Sequence, residues 1–179
     1  MKQLLILSGK GGTGKTTVSS ALIALSGVKA FADCDVDAPN LHLVTAQDIK
    51  PNTSNYYGFQ KAYIDFEKCI KCGLCEKTCR FNAIHYFSVN TSECEGCAVC
   101  SEICPVNAIE MRDYSSGKLM LYSSNDITFS TAKLKTGSGA SGKLVTAVKK
   151  QLKDNSRNCE YAIIDGSPGI GCPVIASIN

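Results

Sequence analysis

A glycine-rich loop near the amino terminus constrains the fold of this 179-residue chain more than any other feature. Residues 9–16 match the spacing G-x-x-x-x-G-K-[ST]. An apolar run at residues 4–7 precedes the loop as a buried strand would, and an apolar, helix-compatible run follows from Thr16 to Ser26. Gly27 stands where a helix C-cap is expected. The order of strand, loop and helix predicts an α/β fold.

The composition of this loop favours binding of an anion. Glycines let the backbone bend so that successive N–H groups point at one anion, and the positive end of the following helix adds to that field. We predict that Lys15 reaches the β- and γ-phosphates of a nucleotide and that Thr16 gives its hydroxyl to Mg²⁺. The alternative is a glycine-rich turn that binds nothing. The predicted nucleotide contacts are Gly9, Lys10, Gly11, Gly12, Thr13, Gly14, Lys15, Thr16 and Thr17.

Cysteine is the unusual residue of the composition, at 11 of 179 residues, and eight of the 11 lie between positions 69 and 104. Two runs have the spacing C-x₂-C-x₂-C-x₃-C of bacterial ferredoxins, and the pair forms an internal repeat. In two-cluster ferredoxins the fourth cysteine of each run ligates the other cluster. We therefore predict two [4Fe–4S] clusters, the first held by Cys69, Cys72, Cys75 and Cys104, the second by Cys94, Cys97, Cys100 and Cys79.

Zinc sites and disulfides are the alternative uses of these thiols. Paired zinc sites often include histidine, and neither His42 nor His85 is suitably placed. Disulfides conflict with the reducing cytoplasm in which a nucleotide-binding loop is expected. Arg80 follows the first run where Pro105 follows the second, a departure that alters the turn and removes no ligand. Because apolar burial alone cannot hold so small a segment together, we expect the clusters to form its core.

Acidic residues follow two further apolar runs. The run Val28–Asp33 ends in acid and is followed by Asp35, and Tyr161–Asp165 is followed by a Gly/Pro turn. Parallel sheets bind ligands at the carboxyl ends of their strands. We predict that Asp165 holds Mg²⁺ through its water shell and that the N–H of Gly169 senses the γ-phosphate. The alternatives are a polar turn with Asx caps after the first run and a plain strand end after the second.

The loop 10–16, the acidic segment 33–41 and the segment 141–145 together resemble the MinD/ParA, Mrp and nitrogenase-iron-protein ATPases, which share a deviant phosphate loop. The resemblance implies that Lys10 reaches the partner's nucleotide across a homodimer and stabilises the transferring phosphoryl group. A solvated surface lysine is the alternative. The resemblance also implies that Asp35 orients the attacking water and that Asp33 has a metal-side role. The ligands that it implies for the chain are ATP or ADP and Mg²⁺.

The expected fold class is α/β, a partial parallel sheet of the P-loop NTPase type with an inserted α+β ferredoxin-like domain. The expected domains are residues 1–60, the insert at 61–112, and the continued ATPase domain at 113–179. Relatives of the resembled family have further strands, so we expect a C-terminal part of the ATPase domain to be missing.

Three parallel strands are expected in the ATPase domain, at 2–7, 28–33 and 161–165. Strands leaving the insert are expected at 119–122 and 127–129. Residues 45–58 are expected to be irregular, and a helix with Leu144, Val148 and Leu152 on one stripe is expected from about 142 to 153. A second match to the loop spacing, at 137–143, lacks the Ser or Thr after lysine and is expected to bind nothing.

Composition limits the functions open to the chain. A net charge of +3 without basic blocks gives no case for nucleic acid, and no stretch approaches the ~20 apolar residues of a membrane span. Cys34, Cys159 and Cys172 are expected to be structural.

We expect a cytoplasmic ATPase that couples hydrolysis to electron transfer, with a homodimer partner and a redox or cluster-acceptor protein. The alternatives are an iron–sulfur cluster assembly or carrier ATPase and a redox-sensing nucleotide switch.

Overall fold

A computed structural model describes residues 1–45, 48–124, 127–156 and 159–179, which form two compact units. The first unit comprises Met1–Tyr56, Gly117–Leu134 and Ala140–Asn179, and the second comprises Tyr57–Ser116 and Lys135–Gly139. The strands are β1 Lys2–Ser8, β2 Ala30–Asp33, β3 Asn52–Tyr57, β4 Lys61–Ile64, β5 Ile84–His85, β6 Ser88–Val89, β7 Ile109–Arg112, β8 Ser115–Ser123, β9 Thr128–Leu134 and β10 Tyr161–Pro168. The helices are α1 Lys15–Ser26, α2 His42–Thr45, α3 Leu74–Thr78, α4 Val99–Glu102, α5 Ser141–Asn155 and α6 Cys172–Ile178.

The described residues of the first unit carry a six-stranded sheet in the order β1-β10-β2-β9-β8-β3. Strands β1, β10, β2 and β9 are mutually parallel, and β8 is antiparallel to β9. The glycine-rich loop joins β1 to α1, so its position between a parallel strand and a helix is the one that the sequence predicts. None of the described helices is long and apolar enough to cross a membrane.

Two sequence expectations about this sheet are wrong. Residues 128–134 were expected only to lead away from the insert. They form a further parallel strand beside β2, so the described sheet has four parallel strands and not three. Buried Ser130 and Thr131 interrupt the apolar pattern after the strand expected at 127–129, so the full length of β9 and its parallel pairing with β2 were not predicted. Residues 52–57 form strand β3 although they were expected to be irregular; most of them are exposed, and an edge strand can be polar.

Helix α5 packs its apolar stripe on the sheet. Leu144, Val148 and Leu152 are all buried in one cluster with Ala32 and Ile164, as their spacing predicts. A second buried cluster of the unit contains Ile23 of α1 and the rings of Phe31 and Phe129, whose centroids are 5.0 Å apart. Burying a side chain of this size stabilises a fold by about 1.5–3 kcal/mol. These two clusters fix the strand ends at which the acidic residues lie.

The second unit is built from an internal repeat of 25 residues. Equivalent cysteines of the two runs are 25 residues apart in sequence: 69 and 94, 72 and 97, 75 and 100, and 79 and 104. The backbone repeats too, because Gly73 (φ 76°) precedes α3 and Ala98 (φ 64°) precedes α4, both left-handed. Strands β4 and β7 pair antiparallel, as do β5 and β6. The core of this unit mixes apolar residues and ligand candidates: Ala62, Ile64, Cys75, Ala83, Ile84, Cys94 and Ile109.

Candidate functional site

The eight repeated cysteines line two cavities of the second unit. One cavity is lined by the first three cysteines of the first run and the fourth of the second, namely Cys69, Cys72, Cys75 and Cys104. The other is lined by Cys94, Cys97, Cys100 and Cys79. The structure thus brings together the crosswise sets that the ferredoxin spacing predicts. Apolar side chains such as Ile109 and Met111 complete the linings.

The donor sets of both cavities suit an iron–sulfur cluster, since four thiolates are its usual ligands. The cavity of the second set has a volume of about 380 Å³, whereas that of the first set is about 20 Å³, room for about one water. Among the described residues, no group of three or more His, Cys, Asp or Glu side chains is arranged to hold a single metal ion.

Burial disfavours ionisation of two of these thiols, those of Cys75 and Cys100. Desolvation raises the pKa of Cys75, and it raises the pKa of Cys100 to about 11 with a further contribution from Cys94 and Cys97. Metal coordination reverses this preference because a coordinating thiol is deprotonated outright. Cluster binding to this unit is therefore expected to release protons.

Backbone N–H groups point at the fourth cysteine of each run. The N–H of Ala83 donates to Sγ of Cys79 over 3.4 Å, and the N–H of Ala108 donates to Sγ of Cys104 over 3.2 Å. Asn82 and Asn107, which precede these alanines, both have φ of 50°, a left-handed conformation that asparagine tolerates better than most residues. Each Asn-Ala pair of the sequence repeat therefore aims an N–H at a thiol sulfur, and such bonds tune cluster potentials.

An Asx turn lies ahead of each run and was not predicted from the sequence. Oδ1 of Asp65 accepts the N–H of Glu67, and Oδ1 of Asn90 accepts the N–H of Ser92, both over 3.0 Å. The carbonyl oxygens of Asp65 and Asn90 then accept the N–H of the first cysteine of their run, also over 3.0 Å. The available signal was an Asp or Asn four residues before the first cysteine of each run.

The glycine-rich loop of the first unit surrounds a cavity of about 220 Å³. Gly12 (φ 74°) and Gly14 (φ 84°) have left-handed backbone, which explains glycine at these two positions. Gly14 is the N-cap of α1, so the cavity lies at the positive end of that helix. The lining residues are Ser8, Gly11, Gly12, Thr13, Gly14, Lys15, Thr16, Thr17, Asp35, Asn40 and Pro168.

Asp165 joins β10 to the loop through three hydrogen bonds. Its Oδ1 accepts from Nζ of Lys15 (2.9 Å) and from Oγ of Ser19 (2.9 Å), and its Oδ2 accepts from Oγ1 of Thr16 (2.7 Å). Lys15 is 9% exposed and Asp165 is fully buried, so water screens this ion pair little. Sequence reasoning selected Lys15, Thr16 and Asp165 but missed Ser19. Its position four residues after Lys15, on the same face of α1, was the available signal.

Asp33 and Asp35 have different surroundings although both follow β2. Asp33 is fully buried, and its carboxylate accepts the N–H groups of Asp35 (2.9 Å), Asn40 (3.0 Å) and Leu41 (3.0 Å). Burial raises the pKa of Asp33 to about 6, with the backbone N–H groups opposing that shift. The Asx-cap alternative therefore describes Asp33, which holds the loop after β2. Asp35 is half-buried and lines the cavity of the glycine-rich loop.

Two other predicted contacts lie at the same strand ends. Gly169 (φ 90°) donates its N–H to the carbonyl oxygen of Ser8 over 3.0 Å, so a γ-phosphate would have to displace that bond. Lys10 is exposed, and its carbonyl oxygen accepts from Oγ of Ser8 over 2.9 Å. The last three residues of the second glycine-rich stretch, 141–143, form the start of α5. Gly9 is exposed and has open space around it.

The cysteines outside the two runs differ in exposure. Cys34 is fully buried, and burial raises the pKa of its thiol to about 12. Cys159 is half-buried and Cys172 is exposed. Burial therefore supports the expected structural role for Cys34 and does not extend it to Cys172.

Comparison with known proteins supports the iron–sulfur half of this description. Residues 62–111 match the family model of the 4Fe-4S dicluster domain. The chain is 39% identical over 183 aligned positions to the uncharacterized protein MJ0578 of Methanocaldococcus jannaschii, an alignment that covers 99% of this chain and 63% of that relative. The chain thus spans less than two thirds of the relative's length. The match supports an iron–sulfur, ferredoxin-like domain at residues 62–111.

Proposed function

We propose that this chain binds and hydrolyses ATP and couples that cycle to electron transfer through two [4Fe–4S] clusters. One observation carries the ATPase half: the buried carboxylate of Asp165 accepts hydrogen bonds from both Lys15 and Thr16 at a glycine-rich loop. Those are the three side chains that the loop spacing and the aspartate-ended strand assign to phosphate and magnesium. The two cysteine-lined cavities supply the other half.

At the nucleotide site, the phosphates of ATP would compete with Asp165 for the ammonium of Lys15. Thr16 and Asp165 are the residues that would hold Mg²⁺, an ion that neutralises charge on the β- and γ-phosphates. Asp35 faces the same cavity and would orient the attacking water, while Asp33 keeps its loop in place. The exposed ammonium of Lys10 is available to a partner's nucleotide in a homodimer. Catalysis would then rest on positioning and on fixed positive charge.

In the second unit, each crosswise set of four thiols would hold one [4Fe–4S] cluster. Such clusters accept and donate single electrons at potentials set by hydrogen bonds and exposure. The residues of this chain contribute the thiolates, the apolar walls and the N–H groups of Ala83 and Ala108. The resemblance to the nitrogenase iron protein favours a cycle in which ATP-dependent closure of a dimer changes the docking or the potential of the clusters, with a redox protein as partner.

A carrier function is the second candidate, and the exposure of Cys72 and Cys97 favours it. A cluster with an exposed ligand is accessible to an acceptor protein, so the clusters could be cargo delivered on ATP hydrolysis. The two functions differ in the fate of the iron. Electron transfer keeps the clusters through many reduction cycles, whereas delivery removes them.

The deciding experiment mixes anaerobically purified chain with an apo-ferredoxin acceptor, with and without Mg·ATP, and follows iron and ATP hydrolysis. We expect hydrolysis in the wild type, none in Lys15→Ala, and full activity in Lys118→Ala, whose lysine is exposed on β8. Iron should stay with the chain. ATP-dependent transfer of iron would replace electron transfer by delivery, and equal hydrolysis by wild type and Lys15→Ala would refute the nucleotide site.

A further inference from the structure

We propose that Ser19 is a positioning residue of the nucleotide site, and that its hydroxyl takes over the Asp165 carboxylate when the ammonium of Lys15 leaves it for a phosphate. No covalent bond changes in this step, since one hydrogen bond replaces another. The inference rests on the proposed nucleotide site and adds to it a side chain outside the glycine-rich loop. Asp165 then keeps a hydrogen-bond donor after the nucleotide has withdrawn its ion-pair partner.

Ser19 lies on the buried face of α1, where apolar side chains are usual. The buried residues of this helix are Lys15, Ser19 and Ile23, which follow one another at intervals of four and so share one face. Ser19 is fully buried. Because a buried hydroxyl costs free energy unless it is hydrogen-bonded, a serine at this position requires partners.

The hydroxyl of Ser19 has two acceptors within reach. Its Oγ lies 2.9 Å from Oδ1 of Asp165 and 3.0 Å from the carbonyl oxygen of Lys15. A hydroxyl has one proton, so it can bond fully to only one of these acceptors at a time. The carbonyl oxygen four residues back also accepts the backbone N–H in an α-helix, so it stays bonded when the hydroxyl turns away. The hydroxyl can therefore turn to the carboxylate at little cost to the helix.

Nucleotide binding would take the other two donors away from Asp165. In the structure, Nζ of Lys15 lies 2.9 Å from Oδ1, and Oγ1 of Thr16 lies 2.7 Å from Oδ2. The loop spacing assigns that ammonium to phosphate and that hydroxyl to Mg²⁺. Ser19 has no such assignment, because it follows the loop in sequence and does not line the 220 Å³ cavity. Of the three donors, Ser19 is the one that can stay with Asp165.

The contribution of Ser19 should therefore depend on where Lys15 is. Asp165 is fully buried, and a buried charge without a partner is costly. While Lys15 is paired with Asp165, loss of the serine hydroxyl leaves the ion pair in place. Once Lys15 has left, the same loss removes a remaining donor from a buried charge. A hydrogen bond to a charged group corresponds to a factor of roughly ten or more in an equilibrium constant, so nucleotide binding should weaken by about that factor.

The first test uses no nucleotide. Lys15→Met mimics the departure of the ammonium, and urea unfolding of the anaerobic chain measures stability at about pH 8, which favours the ionised carboxylate. Ser19→Ala should lower the folding equilibrium constant by about tenfold more in the Lys15→Met background than in wild type. Ser19→Thr keeps a hydroxyl and should not show this difference. Equal losses from Ser19→Ala in the two backgrounds would overturn the proposal.

The second test measures binding of Mg·ADP by calorimetry, which requires no hydrolysis. Ser19→Ala should bind Mg·ADP about tenfold more weakly than wild type, and Ser19→Thr should restore the affinity. The matched control is Ser20→Ala, because the Ser20 hydroxyl donates to the carbonyl oxygen of Thr17 in the same helix over 3.0 Å. The affinity of Ser20→Ala should stay within about twofold of wild type. If Ser19→Ala binds as tightly as Ser20→Ala, the Ser19 hydroxyl serves only the helix and the proposal is overturned.

These measurements separate the role of Ser19 from the proposed function. Wild type that does not bind Mg·ADP would refute the nucleotide site itself, whatever the result of the unfolding experiment. Wild type that binds Mg·ADP, with equal binding by Ser19→Ala, would overturn the role of Ser19 alone. If Lys15→Met with Ser19→Ala does not fold, the binding comparison between Ser19→Ala and Ser20→Ala decides.

Discussion

Replacing Lys15 with methionine tests the buried ion pair that links the glycine-rich loop to β10. The Lys15 and Asp165 side chains are 7% and 0% exposed, and their charged atoms are 2.9 Å apart. Removing one partner of a buried pair costs about 3–5 kcal/mol, because the other charge stays buried and unpaired. Thr16 and Ser19 still donate to Asp165, so we expect a loss of about 3 kcal/mol, near the lower end of that range.

Urea unfolding of the anaerobic chain, followed by circular dichroism, measures this loss. With a urea dependence of about 1–3 kcal/mol per molar, the midpoint of the first unit should fall by ~1–3 M. Lys118→Met removes an exposed lysine of the same unit and should change stability by less than about 0.5 kcal/mol. Because the chain has two compact units, the cluster absorbance of the second unit is followed in parallel as a separate probe of unfolding.

A double variant separates the ion pair from other effects of Lys15. Asp165→Asn alone leaves the lysine ammonium buried, whereas Lys15→Met with Asp165→Asn leaves no unpaired charge. The loss in the double variant should therefore be smaller than the sum of the two single losses, by an interaction of about 0.5–3 kcal/mol. Additive losses, or a Lys15→Met loss no larger than that of Lys118→Met, would refute the reasoning.

Three further outcomes follow from the cavities and from exposure. Cys69→Ser and Cys104→Ser, singly or together, should damage the first cluster, and EPR of the double variant should still show the second cluster intact. Loss of both clusters in the double variant would refute the crosswise set. Ala98→Gly should raise the stability of the second unit by about 1–2 kcal/mol, measured as the temperature of cluster loss, because alanine there has φ of 64°. In the native chain, iodoacetamide should label the exposed Cys172 and spare Cys34, because burial raises the pKa of Cys34 to about 12. Mass spectrometry of the peptides reports both residues, and labelling of Cys34 would contradict its burial.

Local spacing was enough to predict the parts of the sites that lie close together in sequence. Residues 9–16 carry their own turn and helix start, and each cysteine run is a single short segment. The crosswise placement of Cys79 and Cys104 could also be predicted, because in two-cluster ferredoxins the fourth cysteine of each run ligates the other cluster. Asp165 was found because an apolar strand leads directly to it.

Features that depend on contacts distant in sequence were missed. The hydroxyl of Ser130 in β9 lies within hydrogen-bond distance of the carbonyl oxygen of Val148 and of Oε1 of Gln151 in α5, and these contacts let a polar residue lie in a buried strand. The backbone N–H groups of 35, 40 and 41 bond to the Asp33 carboxylate because of the way the loop after β2 folds, which the sequence pattern did not indicate; the metal-side role expected of Asp33 stays a prediction. Lys61 is 3% exposed and donates to the carbonyl oxygen of Cys94, 33 residues away, which nothing in its local sequence indicates.

The central claim is that an ATP site and two iron–sulfur clusters act together on one polypeptide. The most direct test is the EPR spectrum of dithionite-reduced, anaerobically purified chain with and without Mg·ATP. The account predicts two [4Fe–4S] signals whose shape or potential changes with Mg·ATP in wild type and does not change in Lys15→Ala. Zinc or no metal at the eight thiols, or two clusters that do not respond to Mg·ATP in wild type, would contradict it.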